Sequence, residues 1–341
     1  MTIERGGSAQ GFGTVGPPVP KAREGSGETR LGRKPRRRRT PPSGAVRGGH
    51  VGRSGFRYAG QALVTPLALV VGFLFLVPLA VLLFMSVQDW PLLGRPSPNG
   101  LDNYAAITQN DLFLGAITFT LVYTVLTTIL IFGVSFVLVA IANAPRRGAK
   151  FYRTTFFLPY VVGTASAALI WLAAVNNTNG IANHVLVSLG LTDGPWGFLD
   201  TPGKALFTTL TLVVWKFIGF QVIVLLVGVQ SVPSELYEAA TMDGANTWNR
   251  LRHITLPFLK PTLALLLILS VTGSLLAFDQ FQVLTRGGPD NSTVTLVMAI
   301  YNTAFRYYSL GEAAALSVVL LAALVVLNGI QMFVLRRKEE S

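Results

Sequence analysis

The 341-residue chain contains no cysteine. This absence excludes disulfide scaffolds, thiolate metal sites and cysteine nucleophiles, because each of them needs a thiol. Charged residues are also scarce, at 13% of the chain, whereas hydrophobic residues make up 51%. A soluble domain usually has about 25% charged residues. The composition therefore indicates an integral membrane protein whose apolar surface is covered largely by lipid.

A nucleotide-binding P-loop is absent as well. The pattern Gly-x-x-x-x-Gly-Lys-Ser/Thr does not occur, since Gly203-Lys204 is followed by alanine and has no glycine five residues before it. The three histidines, His50, His184 and His253, lie in segments too far apart to share one site. We therefore expect no catalytic residues, no metal and no cofactor in this chain, which is not an enzyme by this interpretation.

Positive charge is concentrated at the N-terminus. Residues 1–57 hold thirteen basic and three acidic side chains, so ten of the twelve excess positive charges lie there. The segment is rich in glycine, proline, serine and arginine and has no apolar periodicity, which predicts a disordered tail over residues 1–58. Its run of basic residues from Lys34 to Arg39 suits anionic lipid as well as nucleic acid. We expect a cytoplasmic tail that binds no nucleic acid.

Six apolar segments are long enough to cross about 30 Å of hydrocarbon as helices. These predicted spans cover residues 63–87, 112–142, 156–175, 205–229, 263–284 and 313–335. Two further segments lie outside the spans. Residues 176–202 are predicted to form a solvated outer loop, and residues 293–308 a helix at the membrane surface.

Basic residues between the spans predict the orientation, because they accumulate on the cytoplasmic side. With the N-terminus inside, and the tail left out, ten basic side chains are cytoplasmic and four are external. The external ones are Arg95, Lys204, Arg286 and Arg306. Both termini are therefore predicted to be cytoplasmic.

A polar segment, residues 235–257, separates the fourth and fifth spans on the cytoplasmic side. It is predicted to form a helix, a turn and a second helix, with Ser231 or Ser234 as the N-cap and Pro233 in the first turn. Its small and acidic side chains would allow another protein to approach the backbone closely. The candidate docking residues are Glu235, Glu238, Ala239, Ala240, Asp243, Gly244 and Ala245.

The order of these residues, followed by Ile254-Thr-Leu-Pro257, resembles the EAA loop of bacterial ABC importer permeases. The resemblance implies an all-α membrane protein with the type I ABC importer permease fold, comprising residues 59–341 and an EAA loop at residues 231–258. It also implies a location in the bacterial plasma membrane. The expected partners are a dimeric ATP-binding cassette ATPase, which would hold ATP and Mg, a second and different permease chain, and an extracytoplasmic solute-binding protein.

Residues 278–289, FDQFQVLTRGGP, with residues 291–293 and 308–314, are similar to the sugar-type branch of this family. That branch includes maltose and glycerol 3-phosphate importers. Within it, the chain resembles the first of two paired permease subunits. The resemblance implies uptake of a sugar or a sugar derivative.

Polar residues inside spans are costly and so mark a possible substrate path. The candidates are Trp171, Lys216, Gln221, Asp279 and Gln280. In one interpretation they bind sugar hydroxyls, and aromatic rings such as Trp171 or Phe217 stack on the sugar ring. In the other, Lys216 pairs with Asp279 or with a partner helix, which satisfies both charges away from lipid. The sequence leaves both open.

Three alternatives remain at this stage. In the first, the chain is a permease of an ABC importer for a non-sugar solute, since the EAA loop occurs throughout the family. An ion-coupled secondary transporter would need titratable groups within the spans, and Lys216 and Asp279 are the two available. An intramembrane enzyme would show turnover by the isolated chain.

Overall fold

The computed structural model describes residues 53–142 and 149–337, with side chains for residues 64–141 and 154–334. Most of the predicted tail and the basic turn between the second and third spans lie outside the described residues. Helix α1 begins at Arg53, so the end of the predicted tail is helical. The chain divides after Gln61 into two units, and the second, Ala62–Ser341, contains the features below.

Helices dominate the described residues because apolar segments in lipid must satisfy their backbone hydrogen bonds internally. A two-stranded antiparallel ribbon pairs β1 (Gln88–Asp89) with β2 (Ser97–Pro98) after the first helix. The helices are α1 Arg53–Met85, α2 Asp102–Ile107, α3 Asp111–Ala142, α4 Ala149–Val161, α5 Thr164–Ala174, α6 Ile181–Ser188, α7 Pro202–Gln230, α8 Ser234–Met242, α9 Thr247–Arg250, α10 Leu256–Leu275, α11 Asp279–Leu284, α12 Leu296–Phe305 and α13 Leu310–Arg337.

Among the described residues, five helical segments are long and apolar enough to cross a membrane, at positions that match five of the six predicted spans. The third predicted span, residues 156–175, is not one straight helix. Helices α4 and α5 meet there at 103°, so the number of spans is six only if this bent pair is counted as one. Pro159 removes a backbone donor from α4, and Gly163 has an extended backbone before α5, which explains the break.

The fifth predicted span, residues 263–284, is also interrupted. Helix α10 begins earlier than predicted, at Leu256, and ends at Leu275. Phe278 has a non-helical backbone, and α11 begins immediately after it. The hydroxyl of Thr295 donates to the carbonyl of Ala277 at 2.7 Å. This tertiary hydrogen bond replaces the backbone bond that the Ala277 carbonyl would accept in a continuous helix. The interruption leaves a short non-helical turn within this apolar segment.

The core lies where α3, α5, α7, α11 and α13 meet. Phe281 is fully buried there, and its ring contacts Tyr123 and Phe119 edge-on, with centroids 4.9 and 5.3 Å apart. By contrast, none of the apolar stretch Val64–Met85 in α1 is buried. The core therefore forms from the later helices, and α1 leaves most of its apolar side chains exposed.

The two segments predicted to lie outside the spans are more ordered than expected. The outer segment contains α6, where Asn183 is buried and accepts a hydrogen bond from the Trp196 backbone at 2.8 Å. It is therefore not simply a solvated loop. In the other segment the predicted helix is present as α12, but it packs against α3 and α13 and buries Met298 and Ala299.

Helices α4 and α7 approach each other closely at Gly219. A Cβ atom at this position would lie 1.9 Å from the Phe156 carbonyl oxygen and 2.8 Å from the Phe157 Cα. Both contacts are with backbone, which cannot move aside as a flexible side chain does. Glycine is therefore required here for helix packing.

Gly219→Ala is expected to lower the stability of the protein, because the added methyl group forces α4 and α7 apart at a cost of about 1–3 kcal/mol. The matched control is Gly133→Ala in α3, where a Cβ atom meets nothing within 4 Å. Thermal unfolding of the two purified variants in detergent measures the difference. Equal unfolding midpoints for Gly219→Ala and the unmodified protein would contradict the close packing.

Candidate functional site

The polar segment between α7 and α10 folds as a helical hook, residues 234–255. Helix α8 is followed by a turn at Gly244, whose φ of 73° favours glycine, and then by α9. The predicted helix–turn–helix is thus present, but its predicted cap is wrong. Pro233 occupies the N-cap, while Ser231 ends α7 and donates to the Gly228 carbonyl at 2.7 Å. Proline fits there because this position needs an extended backbone.

The hook is exposed, and no residue of α8 is buried. Of the predicted docking residues, Ala240 and Ala245 are half-buried, and the others are exposed: Glu235, Glu238, Ala239, Asp243 and Gly244. Two large apolar side chains also project from it, Met242 at 89% exposure and Trp248 at 64%. The sequence reasoning missed both, although apolar residues in an otherwise polar segment were a signal. Acidic, small and apolar groups therefore share one accessible surface.

Hydrogen bonds join the hook into one piece. Tyr237 and Thr255 share a hydroxyl contact of 2.9 Å between α8 and the start of α10. Arg250 donates to the Thr241 hydroxyl at 3.2 Å. A π-helical turn, Leu251–Thr255, leads directly into α10 without a loop. The hook is therefore continuous with α10, and the short connection of residues 231–233 joins it to α7.

A cavity of about 560 Å³ lies among α3, α4, α5, α7, α10 and the turn before α11. Its walls combine aromatic rings with hydroxyl and amide groups. The lining residues include four aromatic and two hydroxyl side chains: Tyr160, Phe217, Phe220, Phe278, Thr127 and Ser270. Ser270 and Ser274 both line it from one face of α10, a pairing in an apolar helix that the sequence reasoning did not use.

Three of the five predicted path residues, Gln221, Asp279 and Gln280, line the cavity. Trp171 instead packs against Trp215, with ring centroids 5.4 Å apart. Lys216 also lies behind the wall, where its ammonium group donates to backbone carbonyls. Among the described residues, Lys216 makes no ion pair with Asp279.

Buried polar groups lie in the wall of this cavity. The amide nitrogen of Gln280 donates to the Tyr123 hydroxyl at 3.2 Å. The Gln221 amide nitrogen is buried and has no hydrogen-bond partner among the described residues, whereas the buried Thr127 hydroxyl lies next to that of Tyr123. A buried polar group without a partner costs roughly 1–3 kcal/mol, so the Gln221 amide is suited to a ligand with hydroxyl groups that reaches it. The aromatic rings suit the apolar face of such a ligand.

Within residues 53–142 and 149–337, no group of three or more His, Asp or Glu side chains is arranged to hold a metal ion. The single lining residue with a formal charge is Asp279, which is exposed. The cavity is thus suited to binding by hydrogen bonds and ring contacts.

A family model for binding-protein-dependent transport system inner membrane components matches residues 136–340. The chain is 33% identical to an sn-glycerol-3-phosphate transport system permease protein, UgpA, of Yersinia pestis bv. Antiqua (strain Antiqua), over 81% of this chain and 93% of the relative. It is 31% identical to a UgpA protein of Agrobacterium fabrum, over 79% of this chain and 92% of the relative. The similarity extends over nearly the whole of these relatives.

Solved structures share the fold. A chain from a bacterial ABC transporter involved in the import of the acidic polysaccharide alginate superposes with a TM-score of 0.73, at 23% identity, over 84% of this chain and 99% of that one. The same kind of transporter in complex with an alginate pentasaccharide-bound periplasmic protein gives a TM-score of 0.72 at 24% identity, over 83% and 96% of the two chains. The chain has an exposed hook and a cavity between the helices that flank it. By the family match and the identity to its relatives, it belongs to the family of binding-protein-dependent transport system inner membrane components.

Proposed function

We propose that this chain is one permease subunit of an ATP-driven importer that takes up a sugar or a sugar derivative delivered by a binding protein. The observation that carries the proposal is the connection between the hook and the cavity. The hook joins α7 to α10, and both helices contribute cavity walls through residues such as Gln221 and Ser270. Force applied to the hook therefore acts on the two helices that border the cavity.

The hook is the docking site for an ATPase dimer, which holds the ATP and Mg that this chain has no P-loop to bind. Met242 and Trp248 would insert as apolar anchors, since exposed side chains of this kind commonly dominate protein interfaces. Glu238, Asp243 and Glu235 add negative charge around these anchors. The small residues Ala239, Ala240 and Ala245 permit close backbone approach, and Gly244 sets the angle between the two helices.

The membrane topology follows from this role. Docking to an intracellular ATPase puts the hook on the cytoplasmic side, which agrees with the basic residues near the span ends. With the bent α4–α5 pair as one span, the chain crosses the membrane six times and both termini are cytoplasmic. The permease domain is then residues 59–341, preceded by a basic tail over residues 1–58.

Two further partners are a second permease and a binding protein. A symmetric ATPase dimer offers two equivalent docking sites, and one chain of this kind supplies a single hook, so a second permease is needed. The likeness to the first of two paired subunits favours a different chain. The family description names a binding protein, and one structural relative was solved with a periplasmic partner.

A sugar or sugar derivative suits the cavity best. Its volume of about 560 Å³ falls within the range of roughly 300–1,000 Å³ common for small-molecule sites. Aromatic faces next to the unpaired Gln221 amide and the Thr127 hydroxyl match the apolar faces and hydroxyls of a sugar ring. The named substrates of the relatives, sn-glycerol 3-phosphate and alginate, are likewise rich in hydroxyl groups.

Transport then proceeds by alternating access. ATP binding closes the ATPase dimer, the docked hooks move with it, and α7 and α10 re-pack so that the cavity opens outward to receive the substrate. Hydrolysis reverses the movement and opens the cavity inward. This chain supplies the cavity and the hook, and the ATPase supplies the free energy of ATP hydrolysis.

Glu238→Lys and Gly244→Leu are expected to reduce ATP-driven uptake more than tenfold. The first reverses a charge on the docking surface, and the second puts a branched side chain at a positive φ. Uptake of labelled maltose and sn-glycerol 3-phosphate into proteoliposomes holding the whole complex measures the loss. Controls are Glu238→Asp, which keeps the charge, and Gly244→Asn, which tolerates this backbone. Normal uptake by both test variants would refute the docking role.

Gln221→Leu tests the cavity. Removing its amide deprives the substrate of a hydrogen bond, so KM for uptake should rise roughly tenfold, equivalent to about 1.4 kcal/mol. ATP hydrolysis without substrate should be unchanged, because the hook is intact. Gln230→Leu makes the same substitution at an exposed position near the end of the same helix and serves as the control. Equal KM values for the two variants would exclude the cavity as the path.

A further inference from the structure

The break between α4 and α5 leaves backbone carbonyls without helical partners. The last four carbonyl groups of any α-helix lack an N–H donor from their own helix. At the end of α4 these groups belong to an apolar segment, and Tyr160 and Val162 are half-buried. A donor from elsewhere in the chain can replace the missing bonds where contact with water is reduced.

Lys216 supplies that donor. It lies in the middle of α7 and is 3% exposed. Its ammonium group donates to the carbonyl of Tyr160 at 3.4 Å and to the carbonyl of Val162. A cation is favoured here because the carbonyl end of a helix carries partial negative charge. The charge of Lys216 is thus partly compensated by carbonyls at and just after the end of α4.

Two aromatic rings surround the same ammonium group. Its nitrogen is 5.8 Å from the ring centroid of Tyr160 and 5.2 Å from that of Phe217. The Tyr160 ring in turn stacks on Phe220, with centroids 4.8 Å apart. Because all three rings line the cavity, the position of the ammonium group is coupled to the shape of the cavity wall.

We propose that Lys216 is a positioning residue that keeps the third span sharply bent at the break between α4 and α5. It holds the backbone at Tyr160, the end of α4, and at Val162 within the break. Tyr160 and Thr164, on the two sides of the break, both line the cavity. Without the ammonium group, the carbonyls that it bonds gain partners if α4 continues as a helix through the break. The third span then becomes straighter. The effect on transport rests on the proposed role of the cavity, whereas the effect on the bend does not.

This role differs from the two suggested by the sequence. A substrate ligand would point into the cavity, but Lys216 is not among the lining residues. An ion-pair partner would contact Asp279, but the ammonium group contacts main-chain oxygens on α4 and just after it. The geometry assigns it to the backbone break.

Spin labels on either side of the break test the proposal directly. The chain has no native cysteine, so Leu158→Cys and Leu169→Cys give two defined labelling sites, at side chains 65% and 58% exposed. Dipolar broadening between the labels reports the bend in the whole complex, assembled with cysteine-free partners in lipid. Lys216→Met should lengthen and broaden the distance distribution, because a straighter helix separates the labels.

Lys216→Arg keeps the charge and the donors and should restore the narrow distribution, which a purely volume-filling role would not predict. Lys204→Met, at a lysine that lies over the Trp196 ring outside this region, should leave it unchanged. If Lys216→Met does not assemble, Lys216→Gln keeps a neutral donor and should give an intermediate distribution. A native distribution in every assembled Lys216 variant would overturn the proposal.

Uptake kinetics separate the bend from the transport path. With maltose and sn-glycerol 3-phosphate as probes, Lys216→Met should raise KM several-fold while ATP hydrolysis without substrate stays within twofold of the unmodified complex. An altered label distance with unchanged KM would overturn the link between Lys216 and the cavity wall. If Gln221→Leu also has normal KM, the cavity is not the path, and the label distances alone decide the role of Lys216.

Discussion

Satisfaction of backbone hydrogen bonds in a lipid environment is the constraint on which the rest of the structure depends. An unbroken helix meets this requirement by itself, and a broken one needs help from side chains. Two apolar segments are broken here, at the α4–α5 bend and at the turn before α11. Lys216 supplies donors at the first, and Thr295 supplies one at the second. Because both breaks border the cavity, these two side chains allow the protein to place polar groups inside an apolar bundle.

The hook is joined through short segments to both helices that border the cavity. A π-helical turn continues into α10, and the Tyr237–Thr255 contact ties α8 to the same helix. The other end of the hook follows α7, which packs tightly on α4 through Gly219. The proposed displacement of the hook would therefore reach the bent span as well as the two helices that border the cavity.

Most of the membrane-spanning helices could be predicted from the sequence, since long apolar runs are a strong signal. The helix–turn–helix was predictable because Gly244 interrupts an otherwise helical polar segment. The breaks in the helices could not be predicted, because hydropathy measures apolar content and contains no information on the hydrogen-bond partners of backbone carbonyls. For the same reason Lys216 could be singled out as unusual, but its partners could not. Tyr160 and Phe220 were missed because aromatic residues in an apolar run give no sign of facing a cavity.

Helix α1 differs from every other long helix, because none of its apolar stretch is buried against the protein's own chain. Such a helix is complete as soon as it is made. During synthesis it can leave the translocon for lipid before any later helix exists, and the basic residues that precede it are then the first determinant of orientation. The later helices, which bury residues against one another, have to wait for their neighbours. Biogenesis would thus begin with an independent anchor and finish with a cooperative assembly.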